Sequence, residues 1–591
     1  MHDPNPKYRP SLIEENPALL IWLLLLASYL VFVFIAKYAW YIHDDQILEF
    51  TLWLLLAGLA IYLCIHQFTQ ARRQCEQAWP NQLPTIPVRT DRRIVARAWD
   101  KGAVVLGYDV HGQPWTWSDE TRVMQALVLG QTGSGKTTLL RNIITQDLLR
   151  RVGPSDNRHK IPMVIFDGKG DLDFFYSLLP YIHRAGRMAD LRLLNPSRPE
   201  LSVEYNPFAS DDDNYMAQVS MIFGSFDLHG EFFAKHQLNY LADIVRVLHY
   251  TGKAFNFYDV MVMALDSGVI EEQVSIARAR IMRDSTVTAQ RRLNFEMSAK
   301  NLFQSFSDRD RVPKIQGLLN ECMTFLDDEL SVITGSYDNL LSINEVIDQE
   351  LILFVSLNIN KNTAPVRALG KMMLQNLQLV VGKRYESEAE RKRTYKPLFS
   401  VVMDEFAPFG YGNFAQILNT ARGTNTAFLF SMQSLPQLLQ VSRGFQQDVS
   451  SAPGTTMLMQ TRDEETAKYF KQASSQIPVQ KRTQQLWRKD FLGFERFQKA
   501  QGATEREQLE YRALDHHIKN LGKGKMEVLM TDPVQGTLHG RLHVRPPSDV
   551  RVPFFEPLVF PKLRSSRAAS NGANLRFKDA KLVATIALPR R

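Results

Sequence analysis

The sequence predicts an α/β protein: a doubly wound parallel sheet with an all-α insertion, carried on an apolar N-terminal hairpin. Three observations lead there. Short apolar runs alternate with stretches of helical spacing. One run leads into a glycine-rich loop that ends in Lys-Thr and opens a helix. Two long runs without Asp, Glu, Lys or Arg precede everything else.

At 591 residues the chain is too long for one core, so two or three folded units are expected. Apolar residues make up 45% and charged residues 22%, which excludes a mainly disordered or fibrous chain. Lys and Arg exceed Asp and Glu by 70 to 62, a mild excess suited to work near phosphate backbones or anionic lipid. Three cysteines, Cys64, Cys75 and Cys322, exclude a disulfide framework and a Cys-rich zinc site. The histidines show no metal-ligand spacing. A mean hydropathy of −0.22 argues against a polytopic transporter.

The first element is the hairpin. Runs 18–36 and 50–68 are each long enough to cross a hydrocarbon core of about 30 Å as a helix. Trp40 and Tyr41 suit an interfacial belt, and the link around Asp44 and Asp45 is acidic. Lys7 and Arg9 precede the pair, and Arg72, Arg73, Arg89, Arg92 and Arg93 follow it. The positive-inside rule then puts both termini in the cytoplasm. The alternative is a cleaved signal peptide, but the first run exceeds an h-region and no small-residue cleavage site follows.

Next comes a strand at Met124–Leu129, which runs into Gly130-Gln-Thr-Gly-Ser-Gly-Lys-Thr137, a match to G-x-x-x-x-G-K-[ST]. Residues 138–152 continue as a helix with Leu139, Leu140, Ile143, Ile144 and Leu148 on one face. Glycines let successive N–H groups converge on one anion, and the helix start adds its positive end. Gly130, Gln131, Thr132, Gly133, Ser134, Gly135, Lys136, Thr137 and Thr138 are therefore the candidate nucleotide-binding residues. Lys136 would meet the β- and γ-phosphates, and Thr137 would ligate Mg²⁺.

A strand at Ile161–Phe166 ends in Asp167-Gly-Lys-Gly-Asp171. A right-handed crossover would lay it in the same sheet, with Asp167 either an outer-sphere magnesium partner or a turn cap. Leu351–Leu357 is another buried strand. Leu398–Met403 ends in Asp404-Glu405, where Asp404 fits the magnesium shell and Glu405 the base for an attacking water. Ala427–Phe430 leads to Gln433, placed to sense a γ-phosphate. Residues 413–421 read as a short helix with Asn413 as its N-cap and Arg422 just beyond.

Between these strands, about residues 209–345 carry helical spacing at 216–228, 232–250, 257–265, 270–282, 287–306 and 313–330. Arg278, Arg280, Arg283, Arg291 and Arg292 concentrate charge there, with Phe295, Phe303 and Phe306 interspersed. They fit either DNA contact or a solvated face over a packed core, and the acidic residues mixed in favour the latter for most of them. Residues 476–503 fit a DNA-facing loop or a mobile connector, and 522–530 a turn into a closing strand. The tail from Lys562 has too few apolar residues for a core of its own. The expected organisation is 1–17 cytoplasmic tail, 18–70 membrane hairpin, 71–208 and 346–545 nucleotide-binding domain, 209–345 all-α insertion and 546–591 basic tail.

The combination of G-Q-T-G-S-G-K-T, D-G-K-G-D, Tyr205-Asn-Pro-Phe208, D-E-F-A-P-F-G, Arg422-Gly423, S-M-Q-S and the hairpin resembles type IV secretion coupling proteins, the TraD/TraG group. The resemblance covers roughly residues 15–545. It implies a RecA-like, FtsK/HerA-like P-loop ATPase with ATP and Mg²⁺ as cofactors. It further implies a hexameric motor in a bacterial inner membrane that delivers relaxase-bound DNA to a secretion channel. The implied partners are single- or double-stranded DNA, relaxase and relaxosome proteins, channel components, the membrane and further copies of the chain. Glu405, Lys136, Arg422 and Gln433 would be catalytic, and Thr137 and Asp404 would hold the metal. Arg422 would act at the subunit boundary, although an arginine there also suits the last carbonyls of its helix. Two features depart from the pattern: a short periplasmic link, and Gly168 where many relatives have proline. The alternatives are a related ring ATPase moving chromosomal DNA or protein only, or a receptor for secretion substrates that has lost ATP turnover.

Overall fold

Strands covered on both faces must be apolar throughout, and this decides which runs form the centre of the sheet. The computed structural model describes residues 29, 58–66, 86–154, 158–170, 172–209, 215–228, 231–326, 328–359, 363–386, 397–484, 488–491, 494–497, 503–548 and 572–577. It divides into two units, one of residues 86–474 and 513–591, the other of 1–85 and 475–512.

In the larger unit, eleven described strands form one sheet. The parallel part is β3 (Ala126–Leu129), β4 (Met163–Asp167), β5 (Leu191–Leu194), β6 (Ile352–Ser356), β7 (Phe399–Asp404), β8 (Thr426–Met432) and β9 (Thr455–Leu458). Their order across the sheet is β9-β3-β8-β7-β4-β6-β5. All seven are buried from end to end. Successive side chains point to opposite faces. Val164 and Phe166 of β4 therefore join the core beneath the helical region, and Met163 and Ile165 join the core beneath the helix Lys136–Leu149.

Beyond β9 the sheet is antiparallel, which the expectation of a parallel sheet did not include. β1 (Ala103–Tyr108), β2 (Pro114–Ser118), β14 (Lys525–Asp532) and β15 (Gly536–Val544) extend it in the order β14-β15-β1-β2. Hairpin-linked strands need only short turns, whereas each parallel neighbour needs a crossover. The late strand β14 is thereby laid directly against β9, beside the phosphate-type loop.

The segment between β5 and β6 is helical, at Tyr215–Ser225, Glu231–Thr251, Phe257–Leu265, Ser267–Arg283, Ala289–Ser307, Arg311–Thr324, Asp328–Thr334 and Ile343–Asp348. The single helix expected over 313–330 is two, with Phe325 buried at the break. The Tyr-Asn-Pro-Phe motif forms the neck of this region. The buried Asn206 amide donates to the Phe255 carbonyl at 2.8 Å, and Phe208 packs edge-on against Phe257. Arg278 pairs with Glu296 at 2.7 Å, and the buried Arg311 donates to the Ala264 carbonyl at 2.7 Å. The buried Arg311 is committed to the fold, whereas Arg278 and Glu296 form an exposed surface pair.

The tail holds a surprise. Residues 572–577 pack on the helical region: the Leu575 N–H donates to Asp259 at 3.0 Å, and the Ala573 N–H to the Ala254 carbonyl at 2.7 Å. Ala573 and Leu575 are buried there. A short strap needs no core of its own when another surface supplies one.

In the smaller unit, β10 (Gln476–Gln484) pairs antiparallel with β13 (Ala503–Tyr511), and β11 (Arg488–Phe491) with β12 (Phe494–Phe497). The span expected to be loop or connector is therefore a hairpin. Residues 58–66 are helical, with Leu59, Ile61, Tyr62 and Leu63 exposed. Among the described residues no helix is long and apolar enough to cross a membrane. The two expected spans lie outside them apart from Tyr29 and 58–66.

Candidate nucleotide site

The carboxyl ends of β3, β4, β7 and β8 converge, the place where open α/β sheets bind ligands. Register brings the acidic groups together: Asp167 and Asp404 are direct partners on β4 and β7. The loop after β3 is pinned at its start by two backbone bonds. Gly130 donates to the Met432 carbonyl at 3.3 Å, and Gln131 to that of Gln460 at 2.8 Å. Gly133 and Gly135 have φ of +80° and +111°, which a side chain would oppose. The turn before β14 leans on this loop, with the Gly524 N–H on the Ser134 carbonyl at 2.9 Å. Thr132 and Gly133 are exposed at its crest, while Ser134 is buried and Thr138 is half-buried in the first turn of the helix.

Lys136 Nζ donates to the Gly130 carbonyl at 2.5 Å and lies 3.7 Å from Glu405. Burial lowers its pKa, a pull that Glu405 and Asp404 only partly offset. Thr137 Oγ1 donates to Asp404 Oδ2 at 3.0 Å. The Asp404 carboxylate also accepts from Ser431 at 2.7 Å and from Lys169 at 2.8 Å. Burial alone would raise this carboxyl, but the Lys169 ammonium and the hydroxyl donors outweigh it and hold it below the usual carboxylate range.

Glu405 is in the left-handed region at φ +58°, unusual for a residue with a side chain. Such strain costs on the order of 1–3 kcal/mol and gathers at working sites. Here it ends β7 abruptly and accompanies a carboxylate set beside Lys136. Gln433 Nε2 reaches Glu405 at 3.5 Å. Asp167 Oδ1 accepts the Lys169 N–H at 3.1 Å, the turn-cap contact, while the carboxyl lies in register with Asp404. The Gly168 N–H donates to the Asp404 carbonyl at 3.1 Å, a bond that proline would forfeit, so glycine here ties the turn to β7.

The structure thus assembles Lys136, Thr137, Asp404, Glu405, Gln433 and Asp167. Arg422 is not among them. It is exposed on the turn Ala421–Thr424 and contacts no other residue of this site. In the helix Phe414–Thr420 the Ile417 carbonyl accepts from the Ala421 N–H and the Gln416 carbonyl from the Thr420 hydroxyl, not from Arg422. Asn413 sits at the N-cap position, but its side chain makes no capping bond, because its backbone is turned away from the extended geometry that capping needs.

Sequence reasoning missed Lys169 and Ser431. Lys169 Nζ is 3.1 Å from Thr137 Oγ1 as well as 2.8 Å from Asp404. The Gly-Lys-Gly spacing was the available signal. Ser431 lies near the end of β8 and Gln433 just beyond it, so the S-M-Q-S stretch carried the signal.

No curated protein matches the chain. Among solved structures, the bacterial conjugative coupling protein TrwBdeltaN70 in its unbound form is similar at 14% identity and a TM-score of 0.52, with 78% of this chain and 92% of that one covered. TrwB with ADP and Mg²⁺ aligns at 15% identity and 0.47, covering 78% and 93%. VirB4 of Thermoanaerobacter pseudethanolicus aligns at 12% and 0.42, covering 75% and 96%. The likeness to the unbound coupling protein is one of fold. The model of the type IV secretory system conjugative DNA transfer family matches residues 84–514, most of the sequence, and the chain belongs to that family.

Proposed function

We propose that this protein is an ATP-driven DNA translocase that couples relaxase-bound DNA to a type IV secretion channel. Family membership supports the transport role. The observation that carries the enzymatic part is the closed set formed by Lys136 with Glu405 and Thr137 with Asp404. That set counts against the reading as a receptor without turnover.

The residues fit a magnesium-bound nucleotide. Thr137 Oγ1 and Asp404 Oδ2 already converge on one cation, the Lys169 ammonium, which supports reading them as a donor set for positive charge. Thr137 would hold the metal directly, with Asp404 in its shell and Asp167 behind. Bound magnesium neutralises charge on phosphate oxygens. Residues 130–138 would cradle the phosphates with backbone N–H groups, and Lys136 would place its ammonium against the β- and γ-oxygens. Glu405 would orient water and accept its proton, its aim fixed by the strained backbone. Gln433, next to Glu405, would report the γ-phosphate state to β8.

Arg422 serves in this reading as a group offered to the neighbouring subunit of a homohexamer, which its exposure supports. The anchor is a two-helix hairpin at 18–70 in a bacterial inner membrane with both termini cytoplasmic, a reading supported by the charge asymmetry around it. The domain limits proposed are those drawn above. The test is ATP turnover by the full chain in lipid nanodiscs, with and without single-stranded DNA. Turnover lost in Lys136→Ala is expected; no turnover by assembled wild-type protein under either condition would refute the motor.

A further inference from the structure

The Asp404 carboxylate is almost wholly buried, at 1% exposure, and a buried carboxylate needs a counter-charge. In the structure that charge is Lys169. Its Nζ is 2.8 Å from Asp404 Oδ2 and 3.1 Å from Thr137 Oγ1, the two oxygens assigned above to magnesium and its shell. Two cations cannot share that place. Magnesium binds oxygen at about 2.0–2.1 Å and requires a near-octahedral shell, so an ammonium wedged between these oxygens excludes it.

The local chain is built for a side chain that moves on a backbone that does not. Gly168 is bonded to β7 through the Asp404 carbonyl. Gly170, at φ +65°, lies so close to Asn358 that a Cβ would fall 2.3 Å from its Cα. The Lys169 N–H is held by Asp167 at 3.1 Å. The four-carbon stem carries the rotatable bonds, and the Lys169 side chain keeps 35% exposure. Its way out is open to water.

We propose that Lys169 is an exchangeable internal counter-ion: it fills the magnesium position of the nucleotide-free chain, yields it to magnesium-bound nucleotide, and reclaims it as product leaves. This rests on the nucleotide reading above and adds a task to it. By linkage, a competitor already in place weakens the apparent affinity of magnesium by the factor by which it prefers the site. An ammonium favoured about tenfold there would raise the magnesium requirement about tenfold. Lys169 acts here as a positioning residue, through Thr137 and Asp404.

The test uses the full chain and a fluorescent ADP analogue titrated with Mg²⁺. In Lys169→Met, and in Lys169→Gln, which keeps a donor but no charge, the magnesium midpoint should fall about tenfold. The nucleotide-free melting temperature should drop while that of the magnesium- and ADP-saturated protein holds. A merely structural lysine would lower both melting temperatures alike. An unchanged or raised midpoint with the analogue still bound overturns the exchange and leaves the nucleotide site standing. Wild-type protein that binds no analogue at any magnesium level overturns both. Should neither variant fold, reductive methylation of the wild type decides: Lys169 should react faster with Mg²⁺ and ADP than without, and an equal or slower rate overturns the proposal.

Discussion

Replacing Asp147 by Asn should be among the most damaging single-atom changes available in this protein. Asp147 lies in the helix that begins with Lys136 and is fully buried. Its carboxylate accepts from Arg122 at 2.7 and 2.5 Å, from Arg150 at 3.0 Å and from Ser400 of β7 at 3.2 Å. Two buried guanidiniums thus face two carboxylates, Asp147 and the partly exposed Asp119. The amide removes one negative charge and turns an N–H₂ toward the donors. Breaking a buried pair costs about 3–5 kcal/mol, and because Asp119 still serves both arginines we expect about 3. With a urea dependence of about 3 kcal/mol per molar, the unfolding midpoint falls by about 1 M. Trp117, beneath the Arg122 guanidinium at 5.4 Å, makes tryptophan fluorescence a suitable probe. The pH behaviour has a definite sign. Burial would raise the Asp147 carboxyl, but Arg122 and Arg150 outweigh it and hold it below its ordinary 3.8. Its contribution is therefore complete above that value and is lost as pH falls through the lower, folded pKa. The gap between wild type and variant should stay constant from pH 7 to 5 and close only below about pH 4. Joint replacement Asp147→Leu with Arg122→Met should recover part of the loss, since both charges leave together. A midpoint fall under about 0.2 M, or a gap that closes already near pH 6, would refute the reasoning.

Other expectations follow from the site and its surroundings. Glu405→Gln should bind ATP and stop hydrolysing it, as single-turnover phosphate release would read, because the carboxylate acts on water and not on the nucleotide. Glu405→Gly should also lose turnover, yet be about 1 kcal/mol more stable in urea unfolding than Glu405→Ala, since both lose the carboxylate and only glycine relieves the left-handed backbone. Chains carrying Arg422→Ala mixed with chains carrying Lys136→Ala, each inactive alone, should regain some ATPase activity; full activity of Arg422→Ala alone would remove that arginine from the mechanism. A periplasm-dependent reporter should work when inserted at Asp44 and fail at the C-terminus. Truncation after residue 571 should expose Asp259 and speed amide exchange in the helix Phe257–Leu265, with little change in β3 to β9.

What the sequence disclosed depended on how local the cause was. β6 and β7 are apolar but for Ser356, Ser400 and Asp404, and each was legible to within a residue or two, because burial on two faces favours such composition. The phosphate-type loop was legible because its geometry demands glycine at fixed places. Strand order was not, since pairing across the sheet is decided by crossovers and not by the strands themselves. The hairpin at 476–511 escaped because its residues show no apolar face, which is the usual signal of register. The break near Phe325 escaped because helical spacing continues through it. Lys169 was visible as a letter in Gly-Lys-Gly, yet its role exists only once β4 and β7 lie side by side. The strap at 572–577 is held by groups more than three hundred residues earlier, such as Asp259, which no reading of the tail alone supplies.

The way the hairpin is joined to the chain has a consequence for how such a protein changes over time. Ser475 and Arg512 flank the strand pair of β10 and β13, and these two residues are tied by the Arg512 N–H on the Ser475 carbonyl at 3.1 Å. One residue outside, the Ala513 N–H rests on the Ser474 hydroxyl at 3.0 Å. Departure and return are neighbours, so the host's own path hardly registers what lies between. Such a junction behaves like a graft union: the shoot can lengthen, shorten or be exchanged while the rootstock keeps its shape. Selection could then act on 475–512 without reopening the sheet, and a library built only there would vary the strand pair while leaving the sheet's framework intact.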